Sequence, residues 1–244
     1  MLEKDTITHE YKLIGSGEKS IIFLNGFRMK FESWNMVYPE ILTNHKVLLF
    51  NRSGVGKSMK AQVAQTGKCV VEEIHKLLSK LEMNLPYIFV THSLGGIFAN
   101  LYARTYQNDV SGIIFVDTPH PSEIAKQKKI RGPFFLRVIN EGLKKAEKLL
   151  DKYKYSEDEC IEETVTQIQN MSYFPHIPIA IVSGTKKMPL VSQEAFILHQ
   201  EYQTKILELS SHSKQYYCHK SGHFPQITEP EVVISAIFDI SNKT

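Results

Sequence analysis

Ser93 lies in the stretch Ile88-Phe89-Val90-Thr91-His92-Ser93-Leu94-Gly95-Gly96, between a run of strand-forming residues and a pair of glycines. Beyond it Leu94, Ile97, Phe98, Leu101 and Tyr102 recur at helical spacing as far as Tyr106. A serine squeezed between a strand and a helix sits on a tight turn that pushes its hydroxyl out of the chain. The glycines, having no Cβ, let that turn bend sharply and let the helix lie close on the sheet. The helix N-terminus aims free N–H groups at whatever the hydroxyl attacks. This is the geometry of a nucleophile elbow. A serine is a weak nucleophile, so it needs a base within hydrogen-bond reach, and the base needs a third group to fix its tautomer. The same nine residues also suit a plain strand–turn–helix junction in which Ser93 only caps the helix.

The elements that must position these groups follow from the hydrophobic pattern. His9 to Ile14 alternates as an edge strand does and turns at Gly15-Ser16-Gly17. Ile21–Leu24, Val47–Phe50, Ile88–Thr91, Gly112–Val116 and Ile177–Gly184 are continuous apolar runs of the length expected for strands covered on both faces. Gln215–Cys218 reads as a last strand, and Val70–Leu81, Phe196–Leu209 and Val232–Ile240 read as helices. Short apolar strands alternating with amphipathic helices predict βαβ units and a mainly parallel sheet. Ligands bind at the carboxyl ends of such strands. That leaves as candidates Asn25-Gly26-Phe27, Asn51 to Ser58, Ser93, Asp117, Gly184 to Lys187 and His219 to His223. The interval from Pro119 to Pro175 is too long for a crossover with one helix, which predicts a helical cap at 119–175 inserted into a core of 1–118 and 176–244. Leu143, Ala146, Leu150 and Tyr153 share one helical face there, with the Lys- and Arg-rich remainder read as a solvated face. Phe134, Phe135, Leu136, Val138 and Ile139 suit either an acyl pocket or simple packing of the cap.

Thr91-His92-Ser93-Leu94-Gly95 resembles the G-x-S-x-G of the α/β-hydrolase superfamily, with Thr91 for the first glycine. A β-branched residue there predicts a slightly wider strand end. The resemblance extends from Phe23 to Ile240 and implies an α/β-hydrolase fold, a mainly parallel twisted sheet flanked by helices. It also implies the chain order Ser, acid, His. His223, in Lys220-Ser221-Gly222-His223-Phe224, falls after the last strand, where superfamily members commonly carry Gly-His; His92 is expected to pack, and His199 to be solvated or structural. Two acids qualify. Many relatives place it after the penultimate strand, where Ser183 to Met188 carries no carboxylate and Glu194 is the next acid; others place it one strand earlier, at Asp117. Asp117 is favoured because its turn faces the histidine loop, although it would also cap the start of the insertion, and a dyad without an acid stays open. The oxyanion hole would use the N–H of Leu94 at the helix start and that of Phe27, where Asn25-Gly26-Phe27 resembles the superfamily's H-G-x. Serine at the elbow sets the chain apart from dehalogenase and epoxide-hydrolase relatives, which use aspartate there. The expected partner is a small-molecule acyl substrate, with no cofactor and no metal required. A non-catalytic relative binding a ligand in the same pocket remains an alternative.

A rival reading comes from Asn51-Arg52-Ser53-Gly54-Val55-Gly56-Lys57-Ser58, close to the phosphate-binding G-x-x-x-x-G-K-[ST]. Against a nucleotidase stand Asn51 in place of the first glycine and the short, glycine-ended segment after Ser58. The α/β-hydrolase resemblance reads the same residues as its D-R-x-G-x-G-x-S loop, with Asn for Asp. Composition narrows the rest. With 244 residues, 42% hydrophobic and 23% charged, the chain suits one large domain or a domain with an insertion. A net charge of +3 is too mild to point to nucleic acid. Cys69, Cys160 and Cys218 are scattered, which fits neither a disulfide scaffold nor a zinc site, and a reducing cytoplasm is expected. The first residues are charged rather than signal-like, and no apolar run reaches membrane-spanning length.

Overall fold

The computed structural model describes residues 7–130, 141–171, 173–189 and 191–244. Its strands are β1 (Tyr11–Ile14), β2 (Lys19–Leu24), β3 (His45–Phe50), β4 (Tyr87–His92), β5 (Val110–Val116), β6 (Ile179–Gly184) and β7 (Ser213–Cys218). They form one sheet in the order β1-β3-β2-β4-β5-β6-β7. β1 pairs antiparallel with β3 at the edge, and the other pairs are parallel. β3 lies on one side of β2 and β4 on the other, so the direction of winding reverses between β2 and β4. At such a reversal the connections leave in opposite directions and open a crevice at the carboxyl ends. Leu24 pairs with Thr91 across that seam, which sets the loop after β2 beside the turn after β4.

The helices α1 (Gly67–Lys80) and α2 (Leu94–Thr105) follow β3 and β4. Among the described residues four more lie between β5 and β6: α3 (Pro121–Lys129), α4 (Glu141–Leu150), α5 (Ser156–Glu159) and α6 (Ile161–Gln169). Then come α7 (Gln193–Ile206), α8 (Pro225–Thr228) and α9 (Pro230–Ser241). Local chemistry sets their ends. Thr66 caps α1 by accepting the Cys69 N–H, so the helix starts before the apolar stripe of Val70, Val71, Ile74, Leu77 and Leu78 that it buries. Each of those side chains stabilises the fold by about 1.5–3 kcal/mol on burial. Proline at the start of α9 is preorganised for the first helical turn.

Strand alternation splits the core in two. Ile22, Leu24, Leu48 and Phe50 face α1, α2 and α6, whereas Ile21, Phe23, Val47 and Leu49 face α9 and the short 3-10 turns after β2. Thr91 keeps the register of β4 with both neighbouring strands. It stays opposite Phe115, and its hydroxyl donates to the Ile114 carbonyl at 3.0 Å, so its buried polar group is satisfied.

The segment between β5 and β6 is joined to the core at its far end. α6 places Val165 and Ile168 in the same cluster as α1 and α2. Its Thr164 hydroxyl and Gln167 carbonyl oxygen accept the N–H groups of Gly67 and Lys68, both at 2.8 Å. At the end of α4, Leu149 and Leu150 are exposed. Phe134, Phe135, Leu136, Val138 and Ile139 lie outside the described residues, as do the side chains of Leu143 and Ala146. Among the described residues no helix is long and apolar enough to cross a membrane.

Candidate active site

Ser93 stands between β4 and α2, at the position before the helix, with φ 51° and ψ −122°, a conformation that costs a non-glycine residue about 1–3 kcal/mol. The turn is compressed from behind. A Cβ on Gly95 would stand 2.4 Å from the Leu24 carbonyl oxygen, so only glycine lets α2 approach β2 this closely. The Ser93 N–H is anchored on the Val116 carbonyl at 3.1 Å. Among the described residues the non-glycine positions with positive φ are Arg28, Glu82, Ser93 and Asp117. All but Glu82 ring the carboxyl ends of β2, β4 and β5. Backbone strain is therefore concentrated where the crevice opens.

Asp117 follows β5 with φ 44°, its N–H donating to the Val182 carbonyl at 2.8 Å. That twist turns its carboxylate toward the loop after β7. Oδ2 accepts from His223 Nδ1 at 2.7 Å, and Oδ1 accepts the Gly184 N–H at 3.1 Å. A carboxylate can only accept, so His223 carries a proton on Nδ1. The loop holding His223 is itself clamped. The Glu229 carboxylate accepts the Lys220 N–H at 2.8 Å and the Ser221 hydroxyl at 2.6 Å. His92, next to Ser93, donates from Nε2 to the His223 carbonyl at 2.7 Å, and the two rings lie 4.7 Å apart. Burial, helped by the neighbouring His223, pushes His92 down to about 3, which keeps it neutral.

A second histidine stands behind the acid. His199, on α7, has Nε2 3.4 Å from Asp117 Oδ1, an ion-pair distance, and Nδ1 2.8 Å from Glu123 Oε1. Glu123, on α3, is buried; it also accepts from Gln127 Nε2 at 2.9 Å and from the His120 N–H at 3.1 Å. Burial alone would lower the pKa of His199, but Glu123 and Asp117 together raise it well above the ordinary value. Burial would raise that of Asp117, and His199 and His223 reverse this and hold it low.

The loop after β2 is held just as closely. Asn25 is buried, its Nδ2 donating to the Phe50 carbonyl at 3.0 Å and its Oδ1 accepting from Trp34 Nε1 at 2.8 Å. Arg52 donates to the carbonyls of Asn25 and Gly26 at 2.7 and 3.2 Å, and forks onto both oxygens of Glu157 on α5 at 2.6 and 2.9 Å. Both side chains of that pair are buried. Phe27 is half-buried, its ring 6.5 Å from that of Tyr155. Leu94 is the first residue of α2, so its N–H belongs to the first turn, where no intrahelical carbonyl accepts.

A sequence model described as the alpha/beta hydrolase fold matches residues 19–140, half of the chain. The chain belongs to the alpha/beta hydrolase fold family. Over 229 residues it is 24% identical to the uncharacterized protein YqjL of Bacillus subtilis, covering 93% of this chain and 85% of that protein. A second B. subtilis relative, YbdG, is 28% identical over 134 residues, and the chain spans 41% of its length. Among solved structures, the fold of a thermophilic esterase from Thermogutta terrifontis matches with a TM-score of 0.67 at 18% identity, over 96% of this chain and 93% of that one. An epoxide hydrolase from Bacillus megaterium matches equally well, with a TM-score of 0.67 at 18% identity over 96% of both chains.

Within this hydrolase fold, Asp117 reaches His223 while Glu194 sits exposed in the first turn of α7. Asn51 to Ser58 forms a packed loop. The Glu10 carboxylate fills it, accepting the Lys57 N–H at 2.7 Å and Asn51 Nδ2 at 2.8 Å, and α1 begins only at Gly67. A carboxylate in the cradle repels phosphate, which removes the physical basis of the nucleotidase reading. His199 is the residue that sequence reasoning passes over. Its one signal is position: Ala195, His199, Tyr202, Gln203 and Ile206 share the face of α7 that turns inward.

Proposed function

We propose that this chain is a serine hydrolase that cleaves a small-to-medium carboxylic ester or related acyl compound through an acyl-enzyme. Ser93 Oγ attacks the acyl carbonyl, and His223 Nε2 takes the hydroxyl proton as the new C–O bond forms. Asp117 holds His223 in the tautomer whose proton sits on Nδ1 and stabilises the imidazolium that results. The oxyanion is met by the N–H groups of Phe27 and Leu94, donors that are positioned before the reaction starts. His223 then protonates the departing alcohol, and water, activated by the same imidazole, hydrolyses the acyl-enzyme. The observation that carries this reading is the 2.7 Å contact from His223 Nδ1 to Asp117 Oδ2, on loops converging beside the strained Ser93 turn. Serine rather than aspartate at the elbow favours acyl transfer over epoxide opening. The segment 119–175 serves in this reading as a helical cap over the carboxyl edge, and the three unpaired cysteines suit a reducing cytoplasm.

A fluorophosphonate probe tests the proposal. It should label the wild-type chain at Ser93 and leave Ser93→Ala untouched, and a panel of chromogenic acyl esters of increasing chain length should be hydrolysed with a preference for short to medium chains. A wild-type chain that neither takes the label nor cleaves any ester of the panel sinks the assignment and leaves a ligand-binding member of the family.

A further inference from the structure

We propose that His199, held by Glu123, is a positioning residue of the same site: it pins Oδ1 of Asp117 so that Oδ2 stays aimed at His223. The inference rests on the serine-hydrolase reading for its kinetic consequence and on geometry for its substance. Asp117 sits on a turn of unfavourable backbone shape, so something must fix the direction of its carboxylate. Two contacts do so on Oδ1, the Gly184 N–H at 3.1 Å and His199 Nε2 at 3.4 Å. His199 in turn is oriented by Glu123 at 2.8 Å. Each ring nitrogen of His199 thus faces a carboxylate: Nδ1 donates to Glu123, which can only accept, and Nε2 lies at ion-pair distance from Asp117 Oδ1 with no other polar partner among the described residues, so the two carboxylates together favour the charged ring. His199 stands as an imidazolium between two buried anions. Its side chain is 17% exposed, against 4% for Asp117 and 2% for Glu123, so water screens this charge weakly.

The arrangement explains how this chain can place its acid after β5. The penultimate-strand loop, Gly184 to Met188, carries Lys186 and Lys187 where many relatives carry a carboxylate. Here that loop contributes a backbone donor, and α7 behind it contributes the cation. A lone buried aspartate next to a histidine would meet the desolvation cost with one partner; with His199 it has two. Glu123 completes the balance, because an imidazolium facing Asp117 alone would weaken the pull of Asp117 on a protonated His223. The groups facing His199 are Asp117 from the end of β5, Glu123 and Gln127 from α3, Lys186 from the loop before α7, and His223 from the loop after β7. Glu123 belongs to the segment between β5 and β6, so the first helix of that insertion is tied to the orientation of the acid.

The test uses the full chain and fluorophosphonate labelling followed across pH, together with nitrogen-15 NMR of the histidines. In His199→Gln a neutral amide replaces the cation. Labelling should slow by roughly 10- to 100-fold, and its acid limb, set by His223, should move up by about 0.5 pH unit or more, because His223 then faces Asp117 with no competing cation. Glu123→Gln should also slow labelling, and His199→Lys, which keeps the positive charge, should bring the limb back toward the wild-type position. In the wild type, both nitrogens of His199 should be protonated near neutral pH, and the Nδ1 proton of His223 should be sharp, broadening in His199→Gln. A purely structural pair would lower stability but leave the acid limb where it was; an unmoved limb in both neutral variants overturns the proposal. So does a neutral His199 in the wild-type spectrum, a measurement that needs no variant to fold. If wild-type Ser93 takes no label, the hydrolase reading fails on its own, and the His199 and His223 spectra still decide whether the clamp exists.

Discussion

At the scale of single residues, the two nitrogens of one imidazole have different work. His223 Nδ1 donates to Asp117, so an amide in place of the carboxylate would set an N–H against it and favour the other tautomer. Asp117→Asn should cost about 10⁴ in kcat on a responsive ester, the loss typical of an orienting acid, because Nδ1 would lose its acceptor. Glu194→Gln should stay within a few-fold of wild type, since Glu194 is exposed on α7. The reverse pattern would reassign the acid. His92 makes a second prediction, about pH. Burial holds it near 3 in the folded chain, whereas an unfolded chain titrates near 6.5. The unfolded state therefore binds an extra proton between those values, so the stability His92 supports is present above about 6.5 and is lost as pH falls toward 3. Asp117, whose pKa the fold also depresses, adds to the loss at the acid end. Urea midpoints measured from neutral to acid pH should fall, and His92→Gln, with an amide that can donate to the same carbonyl, should show the shallower fall of the two.

At the scale of elements, two carboxylates from the segment between β5 and β6 reach into the core through a cation apiece. Glu157 on α5 grips Arg52, which holds the carbonyls of Asn25 and Gly26; Glu123 on α3 grips His199. Removing one partner of a buried pair leaves an uncompensated charge, so Glu157→Gln should lower unfolding stability by about 3–5 kcal/mol. The exposed Glu159, paired with Lys148 at 2.9 Å, offers the control: Glu159→Gln should cost under about 1 kcal/mol. Equal effects in denaturant titrations would mean the buried pair contributes no more than a surface one. These contacts also mark where sequence reading stops. The strands are legible because helices cover both faces of the sheet, which makes runs such as Val47–Phe50 continuously apolar. The elbow is legible because Gly95 must clear the Leu24 carbonyl. Asp117 is favoured over Glu194 in the sequence only by the place of its turn, because β5 and β6 end on the same edge. The positive φ at Asp117 and its hold on Val182, in a strand far along the chain, leave no mark in the local pattern. Arg52 and Glu157 stand 105 residues apart, a pairing that no local pattern announces.

At the scale of the whole molecule, the insertion and the core share one hydrophobic cluster through α6. Ile168, 4% exposed, packs with α1 and α2 rather than within the insertion alone. Ile168→Ala should therefore cost about 2–5 kcal/mol, seen as a single shifted transition by far-UV circular dichroism. A separate early transition, with the main one unmoved, would make the insertion an independent unit. Continuity of this kind ties α6 directly to α1 and α2. One further side chain joins these scales. Trp34, the sole tryptophan of the sequence, is sealed between Phe23 and His92 with its indole N–H on Asn25. The molecule thus contains a single indole, excitable at wavelengths where its tyrosines barely absorb and wired to the loop after β2, and the colour of its emission reports in real time, with no dye attached, whether that loop is seated.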